Sequence, residues 1–256
     1  MIGIKASYAA GTTALLLLSE ATMGGPPMVT DDTGTAADGT VEIIGFAAGE
    51  SRDAGKSAQA PALDVAFGIN ETVEIGFVLP RQRVKNPGQK SVTSWGEASL
   101  GLKWRFFDRG NRALAIAPTF SMPLTDSSTV LGIIDDAYIF TLPLLASIRR
   151  GAWELTGNLG YSVSSGTFDT ISVSGSAGYQ VTPKFRTLLE FWGSDLVGDG
   201  ASRGFLNWRA GVEWAPVRRL TILGAIGGDI WSQLGAANRL EYDYYIGLQY
   251  VSGNRQ

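Results

Sequence analysis

The chain has 256 residues and a formal net charge of −3. Glycine supplies 33 of them, well above its average share of about 7%, while charged residues at 18% fall below the usual quarter. There is no Cys and no His, which excludes disulfides, thiolate and imidazole metal ligands, and every Ser–His or Cys–His nucleophile pair. The charge balance gives no electrostatic case for nucleic acid, the 45% apolar content argues against disorder, and no apolar run reaches membrane-helix length.

In chain order, residues 1–21 read as a signal peptide. Lys5 is the one charge before Glu20, an apolar stretch from Ala9 to Leu18 ends in four leucines, and Ser19-Glu20-Ala21 offers small residues at a cleavage site. The start of a buried helix is the competing reading. Residues 22–40 hold Pro26-Pro27 and Asp31-Asp32 and read as an extended periplasmic N-terminal segment.

From Val41 onward the period is two. Leu63, Val65, Phe67 and Ile69 alternate with small or polar residues, Asn70-Glu71 break the run, and Val73, Ile75, Phe77 and Leu79 resume it, which is a hairpin. The same alternation recurs through Leu100–Phe106, Leu114–Met122, Phe140–Ile148, Trp153–Tyr161, Ile171–Tyr179, Phe185–Phe191, Leu206–Trp214 and Tyr244–Tyr250. Residues 41–49 and 220–227 are strand-like with ambiguous facing. Twelve strands result, over 41–252, followed by a polar tail, 253–256. Connections alternate in length. Short ones fall near 70–71, 108–111, 150–151, 182–183 and 216–219. Longer ones fall at 50–60, 80–94, 124–136, 164–170, 193–204 and 228–241. Short turns at one end, loops at the other and strands of about ten residues predict an all-β, up-and-down antiparallel transmembrane barrel.

Facing follows from charge. When each strand is framed by its apolar residues, the other face carries Asp64, Glu74, Glu97, Glu154, Glu190 and Glu213, with Lys103, Arg105, Arg149, Arg186 and Arg209. Turning five basic residues to lipid, at roughly 2–4 kcal/mol each near the midplane, would cost on the order of 10–20 kcal/mol. That rivals the whole stability of a domain, about 5–15 kcal/mol. The charged face therefore points inward, and these eleven residues are the expected pore lining. A soluble barrel has the reverse sense, and ten exposed apolar stripes do not suit a soluble 27.2 kDa protein.

Specific stretches resemble a known family. Gly25-Pro26-Pro27-Met28-Val29-Thr30-Asp31-Asp32-Thr33-Gly34-Thr35, then Val41-Glu42-Ile43, is similar to the mature start of the outer-membrane proteins of the meta-pathway phenol-degradation transporter family. Residues 101–106, 142–145, 155–161, 178–183 and 247–250 add weaker matches. The resemblance implies an outer-membrane barrel passing small, often aromatic solutes, assembled by the barrel assembly machinery. Family barrels usually close on an aromatic residue; here Ser252 stands in its place.

The inward positions are often small (Ala62, Gly68, Gly101, Ala117, Ser174 and Gly178 among them), which favours an open or gated lumen; the alternative is a flat or collapsed barrel closed by the long loops or by the Asp31-Asp32 segment. Six acidic and five basic linings nearly balance, so ion pairing and weak ion selectivity are expected. Trp95, Trp192, Phe205 and Tyr245 fall on the inward parity at the looped ends of their strands and form a candidate aromatic mouth. Loop anchoring or an interfacial girdle is the alternative for them. No metal, cofactor or catalytic group is expected: without His the common base is missing, and no carboxylate pair is singled out. The sequence reads as a non-enzymatic outer-membrane channel. The alternatives are a closed structural or loop-displaying barrel without transport and a secreted, ligand-binding soluble barrel.

Overall fold

The computed structural model describes residues 25–166, 168–197 and 204–252. The predicted signal peptide and the tail 253–256 lie outside the described residues. Fourteen strand segments follow one another: β1 (Val41–Arg52), β2 (Gly55–Asn70), β3 (Val73–Lys85), β4 (Val92–Trp95), β5 (Glu97–Arg109), β6 (Arg112–Ile116), β7 (Thr119–Pro123), β8 (Ile139–Arg150), β9 (Trp153–Ser164), β10 (Asp169–Thr182), β11 (Phe185–Val197), β12 (Phe205–Val217), β13 (Leu220–Ser232) and β14 (Leu240–Val251). All pair antiparallel in one sheet. β4 with β5 makes one wall strand interrupted at Gly96, and β6 with β7 makes another interrupted at Ala117-Pro118, so the wall has the predicted twelve strands. Pro118 has no N–H to give the ladder, which accounts for the second interruption.

β1 and β14 close the barrel, with Ile43 opposite Tyr250 and Phe46 opposite Gly247. At the foot of this seam Val41 N donates to Ser252 Oγ and Ser252 N donates to Val41 O, each at 2.7 Å. The hydroxyl thus completes the seam where an aromatic residue was anticipated.

All five connections at one end span two residues: 71–72, 110–111, 151–152, 183–184 and 218–219. Gly110 (φ 64°) and Gly151 (φ 60°) supply the positive φ that tight hairpins demand. The other end carries the connections β3–β4 (86–91), β7–β8 (124–138) and β13–β14 (233–239), and there β9 leads to β10 and β11 to β12. One anticipated loop is absent: in place of a long connection over 50–60, β1 and β2 join through residues 53–54 alone. Glu50 pairs with Ser57 and Arg52 with Gly55. Backbone pairing continues there without side-chain alternation, so the apolar pattern gives no sign of it.

The outer and inner faces of the wall differ sharply in exposure. Leu100, Leu159 and Ile246 are 61%, 53% and 60% exposed on the outside, whereas Ser99, Lys103 and Glu190 are 2%, 5% and 0% exposed on the inside. A continuous exposed apolar belt around a charged interior is the outer-membrane arrangement, because lipid, not water, covers that belt.

Candidate functional site

Residues 27–36 form no regular element, so their backbone amides need partners elsewhere. They find them on the inner wall. Val29 N and Thr30 N donate to the two carboxylate oxygens of Glu190 on β11, at 2.9 and 2.8 Å. Thr33 N donates to Ser147 Oγ on β8 at 3.3 Å, and Ala36 N to Glu74 Oε2 on β3 at 2.6 Å. Asp31 Oδ1 accepts from Lys103 Nζ on β5 at 2.7 Å. Asn158 on β9 brackets Asp31, accepting from its N–H at 2.7 Å and donating to its C=O at 2.9 Å in the orientation set by these partners. Thr30, Asp31 and Thr33 are buried. The reading of residues 22–40 as a periplasmic lead-in is therefore corrected for residues 27–36, which lie inside the barrel.

The small inward residues find their reason here. A Cβ at Gly68 would collide with the carbonyl oxygens of Ala36 and Ala37, and one at Gly211 with the Met28 side chain. The space they leave is taken by the N-terminal segment rather than by open solvent. Met28 packs on Leu188, Ala225 and Tyr245.

The inward charges form a ladder in which each central cation sits between two carboxylates. Lys103 Nζ meets Asp31 at 2.7 Å and Glu74 at 3.6 Å. Arg186 meets Glu154 at 2.9 Å and Glu213 at 3.4 Å. Arg209 meets Asp243 at 2.8 Å and Glu190 at 3.8 Å, and also donates to Pro27 O at 3.3 Å. Asp64 and Glu97 are buried on the inward parity. Arg105 and Arg149 lie at the short-turn rim: Arg105 donates to Glu71 O in the β2–β3 turn, and Arg149, 59% exposed, pairs with Glu154. Asp31, Asn158, Ser147 and Asp243 also take part and were missed. Asp243 sits in a strand whose aromatic run hides its inward parity, Asp31 lies in a segment without a period, and Ser147 and Asn158 fall on the inward parity without a charge to mark them.

The four aromatic residues do not form one mouth. Trp192 and Phe205 meet edge to face with ring centroids 5.0 Å apart, both buried. Asn207 lies directly opposite Trp192. Tyr245 sits apart, stacked on Phe46 at 5.2 Å and against Met28. Trp95 points outward, 39% exposed beneath Arg81, because the irregularity at Gly96 puts residues 94, 96 and 97 all on the buried side. Among the described residues, Trp192 Nε1, both Asn207 amide atoms and Tyr245 Oη are buried without a hydrogen-bond partner. Such atoms are uncommon and call for a water or a ligand.

The lumen is narrowed twice. At the looped end, residues 124–138 fold inward: Ile133 and Ile134 are buried against Val84 and Val92. Burial also raises the carboxyl of Asp135 above its ordinary range. On the short-turn side of the N-terminal segment a cavity of about 380 Å³ remains, lined by Asp32, Glu42, Asp64, Lys184, Arg186 and Gln249 among others.

Residues 30–242 match the family model described as "Putative MetA-pathway of phenol degradation". No curated protein matches the chain. Among solved structures, an outer membrane channel from Pseudomonas putida F1 is similar at 13% identity and a TM-score of 0.68, over 86% of this chain and 97% of that one. The NanC porin aligns at 8% identity and a TM-score of 0.58, over 82% and 98%. The KdgM porin, solved in complex with disordered oligogalacturonate, aligns at 9% and 0.52 over the same shares. These likenesses establish the outer-membrane barrel fold. The family match covers most of the chain, which belongs to that phenol-degradation family.

Proposed function

We propose that this family member is an outer-membrane channel for small solutes bearing an aromatic ring, closed at rest by its own N-terminal segment. The observation that carries the reading is the Trp192–Phe205 pair beside the unpartnered Asn207 amide, on the lumen wall toward the looped end. An edge-to-face pair offers a ring a third partner, and an amide with a free donor and a free acceptor suits a phenolic hydroxyl or a carboxylate. The family's description supports a phenolic solute. The ion-pair ladder supports weak ion selectivity, because nearly every lining cation is already matched.

The test is single-channel recording in planar bilayers with the refolded protein, adding phenol or benzoate. Stable conductance steps blocked by these compounds are expected. Trp192→Ala should weaken the block about fivefold, in line with ~0.5–1.5 kcal/mol for an aromatic contact. Block of equal strength in the variant would remove the aromatic site from the account. A second reading, a structural barrel without transport, has one observation in its favour: the segment that fills the lumen is held by six wall strands. A protein that inserts with β-rich circular dichroism yet conducts nothing, even with the segment deleted, would decide for it.

A further inference from the structure

At the looped end of the outer face, basic residues of β2 and β3 gather in one sector. On β3 the outward positions run Ile75, Phe77, Leu79 and then Arg81, Arg83 and Lys85. Ladder pairing sets Lys56 of β2 directly opposite Lys85, and Arg81 directly opposite Trp95 of β4. Lys56, Arg83 and Lys85 are exposed, and Arg81 is half-buried under its stacking contact, 5.4 Å from the Trp95 ring. Lys56 Nζ lies 5.9 Å over the ring of Tyr242 on β14. Arg83 Nη2 donates to Ser91 Oγ at 2.8 Å. Lys90 is exposed in the adjoining loop. The nearby carboxylates are Asp53 in the β1–β2 turn and Glu241, which accepts from Ser51 Oγ at 2.6 Å beside Lys56. The outward carboxylates Asp169 and Asp195 are on β10 and β11, with β1, β14, β13 and β12 between them and this sector.

Like charges directly opposite across a ladder are destabilising. Lys56 and Lys85 occupy such a pair, with Arg83 and Arg81 following at steps of two residues, roughly 7 Å each. The contacts to Trp95, Tyr242 and Ser91 hold these side chains in place but carry no negative charge, so a polyanion outside the barrel is their natural counter-charge. The height on the barrel says which one. The sector lies at the looped end, above the apolar band and level with the aromatic residues Trp95 and Tyr242, which mark the membrane–water interface. That end of an outer-membrane barrel faces the exterior, where the leaflet is built of phosphorylated glycolipid.

We propose that Lys56, Arg81, Arg83 and Lys85 bind the phosphate groups of the outer-leaflet glycolipid, the lipid A portion of lipopolysaccharide, on the lipid-facing side of β2–β4. Guanidinium forks suit phosphate oxygens, and Trp95 holds the Arg81 fork at the right depth. The site is separate from the lumen and does not depend on what the channel carries.

The test uses the full refolded protein in detergent and follows its thermal unfolding by heat-dependent gel mobility while lipid A is titrated in. Lipid A should raise the midpoint; lipid A stripped of its phosphates should not. Arg83→Gln with Lys85→Gln should weaken the response about thirtyfold, two basic contacts being worth about 1 kcal/mol each near a charged surface. Arg150→Gln with Arg219→Gln, at the opposite rim, should leave the response unchanged. Should the first double variant fail to fold, Lys56→Gln alone should still shift the titration in the same direction. An undiminished response in a folded variant would overturn the proposal. So would an equal response to phosphatidylglycerol, since the face would then sense negative charge and not the glycolipid.

Discussion

At the short-turn end the lumen holds a polar segment whose amides are gripped by carboxylates; at the looped end two isoleucines lie over two valines. The first closure is built from directed bonds: Glu190 takes two amides, Lys103 one carboxylate, Asn158 the N–H and the C=O of one residue, Asp31. Each such bond has one partner and one geometry, so losing it strands a buried polar group. The second closure, Ile133 and Ile134 on Val84 and Val92, has no direction and few requirements. A directed closure fails sharply when one residue changes. An apolar closure weakens by degrees.

The comparison can be broken at several points. Deleting residues 25–38 should have the largest effect, a several-fold rise in single-channel conductance in planar bilayers. Unchanged conductance would place the controlling constriction at loop 124–138. Glu190→Ala comes next. It frees Val29 N and Thr30 N and leaves Arg209 with Asp243 as its remaining carboxylate, so segment docking should lose about 3 kcal/mol, seen as far more frequent openings. Ile133→Ser with Ile134→Ser should give a smaller and graded effect: higher open probability at the same step size. The smallest effect concerns pH. Burial raises the carboxyl of Asp135 in its seated loop above the ordinary 3.8. The seated form therefore binds the proton more tightly, and seating is favoured as pH falls toward 3.8 and weakened as pH rises through the raised value. Openings should thin out in mild acid, and Asp135→Asn should flatten that dependence. An equally steep profile in the variant would assign the pH response to another group.

The difference between the two closures also explains what could be read from the sequence. The wall was legible because lipid on one side and charge on the other impose a strict period of two, and Asp64, Lys103, Glu190 and Arg209 fell into frame from their neighbours alone. The occupant of the lumen was legible only as an alternative, closure by the long loops or by the Asp31-Asp32 segment. Residues 27–36 have no period, and their partners, Glu190 and Ser147, lie more than 100 positions away along the chain. A polar stretch with two prolines looks the same whether it hangs in water or is held by a wall. Trp95 failed for a narrower reason. A single irregular residue, Gly96, reverses parity, and side-chain chemistry does not mark it in advance. Tyr245 was placed correctly on the inward face but at the wrong height, because parity gives the side of a strand and not the neighbour that reaches it.

The N-terminal segment is bonded to β3, β5, β8, β9, β11 and β12, strands spread around the circumference. In mechanical terms it is a set of spokes. A thin-walled tube under lateral pressure from lipid flattens along its weakest diameter, and spokes that pull opposite walls together fix its cross-section. Withdrawing the segment would thus do more than empty the bore: it would release the outline of the tube, and the wall interruptions at Gly96 and Pro118 are where a freed outline would bend.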